Sequence, residues 1–217
     1  MSPSKENYLK IIFELEYDHR KIINKNIADI MGVSAPSVSE MLAALVKDKL
    51  VEHSPYNQIT LTAEGHKLAK ELVKKHRLWE VFLVDDLGYT ISDVHQAADT
   101  LEHATSGDLI DRLNKFLDYP THCPHGGIIP DNSPEQNDNA VMLADLKDGQ
   151  TATIKRVIDN HEFLNYFAEL HLELGDQLKI DSRAPFDGPL TVTKNGQEEL
   201  QIGLNAATFI FMNPPEP

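Results

Sequence analysis

Apolar side chains recur every three or four residues in the first part of the chain, which predicts amphipathic helices. One such run covers residues 4–17, a second ends at Gly32, and a third follows Ser34, which suits a helix cap. Two short runs, at residues 50–53 and 58–61, predict strands joined by a turn. Helix, tight turn, helix and hairpin in this order predict a winged helix-turn-helix domain.

The next stretch predicts three further helices. The first runs from a cap at Thr62 to about Asp85, the second follows Ser92 and Asp93, and the third opens at Ser106. Together they carry more apolar surface than such a small bundle hides, which favours a dimerisation unit in which two copies bury it against each other. Packing of these helices against the winged helix explains the same pattern, so both interpretations stay open.

The pattern changes again after residue 118. Residues 119–140 are rich in Pro, Gly, Asn and Asp, which is typical of a linker or an ordered loop. Beyond them, short strand-like runs separated by turns, with one helix at residues 162–171, predict a small SH3-like β-barrel. The predicted strands cover residues 151–158, 177–180, 190–194, 199–202 and 207–211.

The fold class expected from these patterns is mainly α with a small β domain. Residues 1–70 form the predicted winged helix-turn-helix domain. Residues 71–140 form a helical metal-binding and dimerisation domain with its linker, and residues 141–217 form the β-barrel domain.

Composition predicts an ordinary globular protein and a cytoplasmic location. Hydrophobic residues make up 41% of 217 positions, no apolar run approaches membrane-spanning length, and the start of the chain lacks the apolar core of a signal peptide. We therefore expect no membrane partner. The single cysteine, Cys123, excludes an intrachain disulfide framework.

Charge is divided unevenly along the chain. The net charge of −14 argues at first against a nucleic-acid partner. Residues 1–77, however, hold 12 Lys and Arg against 10 Asp and Glu, whereas the remainder holds 8 against 24. The nearly neutral front of the chain suits contact with DNA, and the acidic rear suits the binding of cations.

Candidate metal ligands cluster on one predicted helix face. His95, Asp99, Glu102 and His103 point into an arc of roughly 100° when the chain advances 100° per residue. Imidazole and carboxylate are the usual ligands of a first-row divalent metal. Solvated surface charge is the competing interpretation in a chain with 34 acidic residues.

Two other groups of side chains extend this candidate site. His76 and Glu80 lie four residues apart in the preceding helix, and His76 continues an apolar stripe, so both residues look half-buried. A half-buried carboxylate beside a histidine needs a cation or hydrogen bonds. In the loop after residue 118, Cys123 and His125 form a Cys-x-His pair of competent ligands.

The exposed side of the second predicted helix of the helix-turn-helix supplies the candidate DNA contacts. Short hydroxyl side chains and one acid make few strong base-specific bonds, so we expect shape readout and methyl contacts to thymine to matter. The candidate residues are Ser34, Ala35, Pro36, Ser37, Ser39, Glu40 and Lys47.

These features together resemble the diphtheria-toxin-repressor family of metal-dependent transcriptional repressors, and within it the manganese-responsive, three-domain members. The resemblance covers essentially the whole chain. It rests on the predicted winged helix, on the β-barrel and on three motifs between them. The motifs are Lys75-His76-Arg77-Leu78-x-Glu80, His95-x3-Asp99-x2-Glu102-His103 and Cys123-Pro124-His125-Gly126.

The resemblance implies two metal positions in each chain. Asp99, Glu102 and His103 match ligands of the site that activates DNA binding, to which the first helix adds a side chain, here Asn7. His76, Glu80 and His95 match a second, ancillary site.

In some members of that family, residues equivalent to Cys123 and His125 are additional ligands. The resemblance also implies an oxygen ligand from the barrel domain. The candidates are Asn160 and its neighbours Asp159 and Glu162.

Some positions depart from the family pattern. Asn7 and Asp99 stand where iron-responsive relatives have Met and Cys, and Lys10 stands where the smallest manganese regulators have Glu, which argues against a two-metal cluster of their kind. Oxygen-rich coordination without a thioether suits Mn²⁺, with Fe²⁺ as the alternative, and Zn²⁺ or Cd²⁺ can substitute in vitro.

The sequence therefore predicts a homodimeric, Mn²⁺-dependent repressor that binds a palindromic operator on double-stranded DNA and controls metal-ion uptake genes. Two other functions stay open. One is a metallohydrolase, although no His-Glu-x-x-His motif occurs. The other is a winged-helix regulator in which the metal is structural and a peptide or protein is the effector.

Overall fold

The computed structural model describes residues 1–53, 59–134 and 139–215. The helices are α1 (Pro3–Tyr17), α2 (Asn24–Met31), α3 (Ala35–Lys47), α4 (Ala63–Asp85), α5 (Val94–Ala104), α6 (Gly107–Phe116), α7 (His161–Glu169) and α8 (Leu204–Ala207). The strands are β1 (Val51–His53), β2 (Ile59–Leu61), β3 (Val141–Met142), β4 (Thr151–Val157), β5 (Gln177–Arg183), β6 (Leu190–Lys194), β7 (Glu198–Ile202) and β8 (Ile210–Met212).

The chain divides into two compact units. The first unit contains Met1–His76 and Thr100–Arg112, and the second contains Arg77–Asp99 and Leu113–Pro217. The division passes through α4, α5 and α6, so each of these helices contributes residues to both units.

The first unit contains the predicted helix-turn-helix. Gly32 ends α2 in the left-handed conformation with φ of 64°, and the Ser34 hydroxyl accepts a hydrogen bond of 3.4 Å from the amide of Ser37 at the start of α3. Between α1, α2 and α3 lies an apolar core that includes the fully buried Leu9 and Ile27. The turn and both helices are therefore confirmed.

The hairpin that follows α3 is antiparallel. Val51 pairs with Leu61 and His53 with Ile59, and the predicted turn at residues 54–57 lies outside the described residues. Thr62 caps α4 as predicted, accepting a hydrogen bond of 3.0 Å from the amide of Gly65. A Cβ atom at Gly65 would lie 2.0 Å from the Leu50 carbonyl oxygen, so the close approach of α4 to the end of α3 requires glycine.

Several large apolar side chains of the second unit face solvent. Trp79, Phe82 and Phe116 form a chain of edge-to-face ring contacts, and Phe116 is 66% exposed. Leu87, Tyr89, Ile91 and Tyr119 are exposed as well. Such apolar surface is what a dimer interface would cover.

The second unit also holds a six-stranded antiparallel sheet within residues 139–215, in the order β3-β8-β4-β5-β6-β7. The register shifts between Ile154 and Arg156 in β4 and between Ile180 and Ser182 in β5. Irregularities of this kind bend strands and curve a sheet. With α7 beside its apolar core, this sheet confirms the mainly α fold with a small SH3-like β domain.

The last predicted strand is partly wrong. Residues 204–207 form the short helix α8, and the strand covers Ile210–Met212 rather than residues 207–211. Ala206 and Ala207 favour a helical turn, which a run of apolar letters does not reveal. The two-residue strand β3, which pairs with β8, is too short to show a period and was not predicted.

None of the described helices is by itself both long and apolar enough to cross a membrane. The bent pair of α2 and α3 reaches the required length and composition together, at an angle of 108°. Val38, Leu42 and Leu45 of α3 are buried in the winged-helix core.

Asp176 fixes the turn that leads into β5. Its carboxylate accepts hydrogen bonds of 2.8 Å from the Glu173 amide and 2.7 Å from the Asn195 side chain, and Lys194 Nζ lies 3.3 Å away. Partial burial acts to raise the pKa of Asp176, but the hydrogen bonds from Asn195, Glu173 and Lys194 outweigh it and lower the pKa below its ordinary value of 3.8.

We expect Asp176→Asn to lower the free energy of unfolding by about 1–3 kcal/mol near neutral pH, because it removes a charged acceptor of several hydrogen bonds. A lowered pKa stabilises the fold above the unfolded-state pKa, and this contribution is lost as the pH falls through the folded-state pKa. The difference between variant and wild type should therefore shrink in acid. Chemical denaturation at a series of pH values measures it.

Asp148→Asn is the matched control, because it removes the same charge from a side chain that is 58% exposed and lies 3.6 Å from Arg183 Nε. It should change the stability by less than half as much. A loss for Asp176→Asn that stays constant down to strongly acidic pH would contradict the role of its carboxylate.

Candidate metal centres

The first unit contains a buried carboxylate, that of Glu102, with cationic and imidazole groups around it. The side chain of Glu102 on α5 is 0% exposed, and its Oε2 lies 2.5 Å from Nδ1 of His76 on α4. Lys10 on α1 approaches both carboxylate oxygens, with Nζ 2.9 Å from Oε1 and 3.1 Å from Oε2. Three helices therefore meet at one acidic side chain.

Further ligand atoms of the first unit come from the same turns of α1 and α5. Glu6 Oε2 lies 2.6 Å from His103 Nδ1, and His103 Nε2 lies 3.7 Å from Glu102 Oε1. Asn7 Oδ1 and His103 Nε2 are buried and make no hydrogen bond to any residue that the structure describes. Buried polar atoms of this kind need a partner, and both can donate a lone pair to a cation. We call Glu6, Asn7, Glu102 and His103, with His76, the first-unit cluster.

The second unit contains a separate group of ligands. Glu80 on α4 and the loop residues Cys123 and His125 each offer a ligand atom within 4.8 Å of the others, and all three residues are buried. His125 Nδ1 is buried and lies 3.2 Å from Glu80 Oε1. We call these three residues, with Asp159, the second-unit cluster.

A tight turn positions the two loop ligands. The Gly126 amide donates to the Cys123 carbonyl over 2.8 Å, and the Cys123 amide donates to the Gly127 carbonyl over 2.9 Å. Gly126 has a φ of 82°, and a Cβ atom there would lie 2.4 Å from the Lys155 carbonyl oxygen. Only glycine fits both constraints, so the backbone geometry of this turn helps to fix the Cys-x-His pair.

The barrel domain contributes Asp159 to this cluster. Asp159 Oδ1 lies 3.7 Å from His125 Nε2, and its Oδ2 contacts His95 Nδ1. Asn160, which was the first candidate for the oxygen ligand, instead caps α7, where its side chain accepts a hydrogen bond of 3.0 Å from the Phe163 amide. Asp159 is therefore the candidate that contacts the histidines, and the choice of oxygen ligand among Asp159, Asn160 and Glu162 stays a prediction.

Nearby acidic groups raise the pKa of the His125 imidazole in the second-unit cluster. Burial acts to lower the pKa of His125, but the charge of Glu80 and hydrogen bonds with Cys123 and Glu80, with the charge of Asp159, raise the pKa well above its ordinary value. An acidic surrounding that stabilises a protonated imidazole also attracts a metal cation.

Both clusters fit a divalent metal ion by the chemistry of their donors. The first-unit cluster offers oxygen and imidazole nitrogen, a set that suits Mn²⁺ and Fe²⁺. The second-unit cluster adds one thiol sulfur, which also suits softer ions such as Zn²⁺ and Cd²⁺.

The predicted ligand sets are divided between the two units. His76 lies in the first unit, whereas Glu80, one turn further along α4, and His95 lie in the second. Asp99 lies in the second unit, one turn before Glu102 on α5. The grouping of His76 with Glu80 and His95, and of Asp99 with Glu102, stays a prediction.

Sequence reasoning missed Glu6 as a candidate ligand and did not foresee the contacts of Lys10. The available signal was the spacing of Glu6, because Glu6 and Lys10 lie four residues apart and share the helix face that also bears Asn7.

All seven candidate DNA-contacting residues on and before α3 are exposed. The serines, however, have local partners. Ser34 and Ser37 hydroxyls lie 2.9 Å apart at the helix start, and Ser39 accepts from Asn24 over 2.8 Å and donates to the Ala35 carbonyl over 3.1 Å. Pro36, Glu40 and Lys47 complete the exposed surface.

The chain matches three family models in succession. Residues 1–59 match the N-terminal DNA binding domain of iron dependent repressors, residues 62–131 match their metal binding and dimerisation domain, and residues 141–214 match the FeoA domain.

Whole proteins and solved structures show the same similarity. The diphtheria toxin repressor of Corynebacterium efficiens is 30% identical over 204 residues, which cover 88% of this chain and 87% of that protein. The iron-dependent repressor IdeR of Mycobacterium bovis is 33% identical over 165 residues, or 72% of each chain.

The solved structure of the manganese regulator SloR is 42% identical to this chain and has a TM-score of 0.86. The match covers 98% of this chain and 99% of the SloR chain. A manganese-dependent transcriptional repressor in complex with manganese is 34% identical and has a TM-score of 0.85. That match covers 96% of this chain and 98% of the repressor chain. Similarity of this extent shows that the chain belongs to the diphtheria toxin repressor family of metal-dependent repressors, alongside its manganese-responsive members.

Proposed function

We propose that this protein is a metal-dependent, DNA-binding transcriptional repressor of metal-ion uptake genes. It acts in the cytoplasm as a homodimer on a palindromic operator, with Mn²⁺ as the activating ion and Fe²⁺ as the alternative. One observation carries this proposal: α1 contributes both to the winged-helix core and to the first-unit cluster. Its residues Leu9 and Ile12 are buried in that core, while Glu6 and Asn7 belong to the cluster.

The two roles of α1 suggest how metal binding reaches DNA. A bound divalent ion supplies coordination bonds to oxygen and nitrogen ligands. Asn7 from α1 and Glu102 with His103 from α5 would hold it, and α1 would thereby be fixed to the helix that carries the acidic ligands. Because α1 packs directly on α2 and α3, this restraint limits the positions that the helix-turn-helix can adopt. Metal loading then shifts an existing equilibrium towards the DNA-competent arrangement.

The energy required is small. A tenfold gain in operator affinity corresponds to a coupling of about 1.4 kcal/mol, which a single additional ligand bond between α1 and α5 can supply.

DNA recognition would use the exposed face of α3. Because the hydroxyls of Ser34, Ser37 and Ser39 are engaged with one another, with the backbone or with Asn24, they add little base-specific hydrogen bonding. Ala35 and Pro36 offer apolar contacts to thymine methyl groups, and Lys47 offers a phosphate contact. In a dimer, the two α3 helices would enter successive major grooves, about 34 Å or a multiple of it apart.

The proposed stoichiometry is two ions per chain. The first-unit cluster, with Asp99 as a further ligand, would hold the activating ion, and the second-unit cluster would hold the other. One relative, ScaR, has been solved with bound Cd²⁺ and with bound Zn²⁺, so that protein accepts softer ions. The thiol of Cys123 is the donor in this chain that would attract them.

Each of the three predicted domains has its own proposed function. Residues 1–70 bind DNA, residues 71–140 bind metal and form the dimer, and residues 141–217 supply Asp159. The relatives are named as repressors rather than hydrolases, which favours this function over a metallohydrolase.

Metal dependence is tested directly with DNA. We expect Mn²⁺ to raise the affinity for a DNA fragment, selected from a random pool by the manganese-loaded protein, at least tenfold over chelator-treated protein. Asn7→Ala should lose most of this gain because α1 loses its amide ligand, while the chelator-treated variant should bind like wild type. Gel-shift titrations measure both affinities.

Asn26→Ala is the control, since this amide lies on α2 and donates to the Lys21 carbonyl. It should keep the full metal response. Equal DNA binding by chelated and manganese-loaded wild type would overturn the proposed function.

The single cysteine allows metal binding at the second-unit cluster to be followed by ultraviolet absorption. Cd²⁺ titrated into the protein should produce thiolate-to-metal charge-transfer absorption in the ultraviolet, and this absorption can come only from Cys123. We expect His125→Gln to weaken the binding of the absorbing Cd²⁺ by about 10-fold to 100-fold, as loss of a positioned ligand typically does.

His161→Gln is the matched control, because His161 starts α7 but lies outside both clusters. It should leave the Cd²⁺ titration unchanged. An unchanged titration for His125→Gln would mean that Cys123 binds the ion without the proposed partners.

The DNA surface is tested by salt dependence. Lys47→Ala should weaken binding to all DNA sequences similarly and reduce the slope of log affinity against log salt by about 1, as the loss of one phosphate contact does. Lys147→Ala removes an exposed lysine from the barrel domain and should change neither value. Equal slopes for wild type and Lys47→Ala would place the phosphate contacts elsewhere.

A further inference from the structure

Lys10 is an unusual residue to find inside the first-unit cluster. It is 4% exposed, and the fully buried Glu102 receives its ammonium group on both carboxylate oxygens, at 2.9 and 3.1 Å. Lysine is seldom buried unless it is paired. A cationic side chain thus lies among the same groups that fit a metal cation.

The contacts of Lys10 follow those that a metal ion would make. Besides Glu102, its Nζ lies 3.4 Å from Nδ1 of His76, which is itself 2.5 Å from Glu102. An ammonium group has three donors and a single charge, so it can donate to both oxygens of one carboxylate. A divalent ion that binds Glu102 needs the same oxygen lone pairs.

We propose that Lys10 is a tethered cation that occupies the carboxylate of Glu102 in the metal-free protein and competes with the activating metal for it. This inference rests on the proposed function and concerns the regulation of the same site. Lys10 sets the metal concentration at which the repressor responds, because part of the binding free energy of the ion is spent on separating Lys10 from Glu102.

The tethered cation raises the stability of the metal-free protein and lowers the affinity for the metal. In the metal-free protein it neutralises a carboxylate that is 0% exposed, and so it stabilises the first unit. In the metal-bound protein the ammonium group is a like charge close to the ion, and so it lowers the affinity. A purely structural ion pair would show the first effect without the second.

Lys10→Met separates these effects, because methionine keeps the unbranched chain but has no charge. We expect the metal-free variant to unfold at a temperature lower by several degrees and to bind Mn²⁺ at least tenfold more tightly than wild type. Free Mn²⁺ measured by electron paramagnetic resonance gives the affinity. All proteins carry Cys123→Ser and His125→Gln as background changes, so that the first-unit cluster dominates the titration.

Two further variants at position 10 separate the effect of the charge from the effects of side-chain shape and of impaired folding. Lys10→Arg keeps the charge and should bind Mn²⁺ within about threefold of wild type. Lys10→Gln loses the charge but keeps a hydrogen-bond donor, so it should fold even if Lys10→Met fails to fold. It should also bind Mn²⁺ more tightly than wild type.

Lys5→Met is the matched control on the same helix. It removes the same charge, but Lys5 pairs with Asp48 at the surface, where the side chains are 28% and 41% exposed. Its Mn²⁺ affinity should stay at the wild-type value. A similar tightening in Lys5→Met would show a general effect of net charge and would overturn the proposal.

The outcomes separate this inference from the proposed function. If the background protein binds no Mn²⁺ at the first-unit cluster, the proposed function fails and the competition fails with it. If it binds Mn²⁺ but Lys10→Met and Lys10→Gln bind no more tightly, the proposed function stands and Lys10 is a structural ion pair only.

Discussion

The burial of the Glu102 carboxylate is the constraint on which the first unit depends. A charged group without solvent exposure costs several kcal/mol unless it is paired and hydrogen-bonded. Lys10 from α1 and His76 from α4 meet this requirement, so three helices that are distant in sequence converge on one side chain. The acidic residue that a metal would bind is thus also the residue that organises the surrounding helices.

Helix α1 contributes both to folding and to metal sensing, because one of its faces is apolar and another carries candidate metal ligands. Leu9, Ile12 and Leu15 of α1 recur at helical spacing and fill the winged-helix core, whereas Glu6 contacts His103 of α5 and the Oδ1 atom of the adjacent Asn7 is buried. A change in the first-unit cluster is therefore applied to a rigid element of the DNA-binding domain and not to a loop. The second-unit cluster is built differently, because only Glu80 comes from a helix, while its other ligands come from a glycine-constrained turn and from the segment after β4.

Much of this fold could be predicted from local sequence. The stop at Gly32, the caps at Ser34 and Thr62 and the periodic apolar faces specify α2, α3 and α4, because capping and burial are short-range effects. The division of each ligand set could not be predicted in this way. A pattern places His103 and Glu102 on one face, but it does not say that Glu6 reaches His103 across 97 positions of the chain. Helix α8 was missed because four residues carry too little periodicity.

The junction between β4 and α7 has a consequence for the evolution of this chain. Asp159 contacts two histidines there, and its neighbour Asn160 closes the first turn of α7. Loss of one residue before this point would move the amide to the place of the carboxylate and the carboxylate out of reach. In this chain, an insertion or deletion of even one residue in this corner would therefore move the acid away from the histidines.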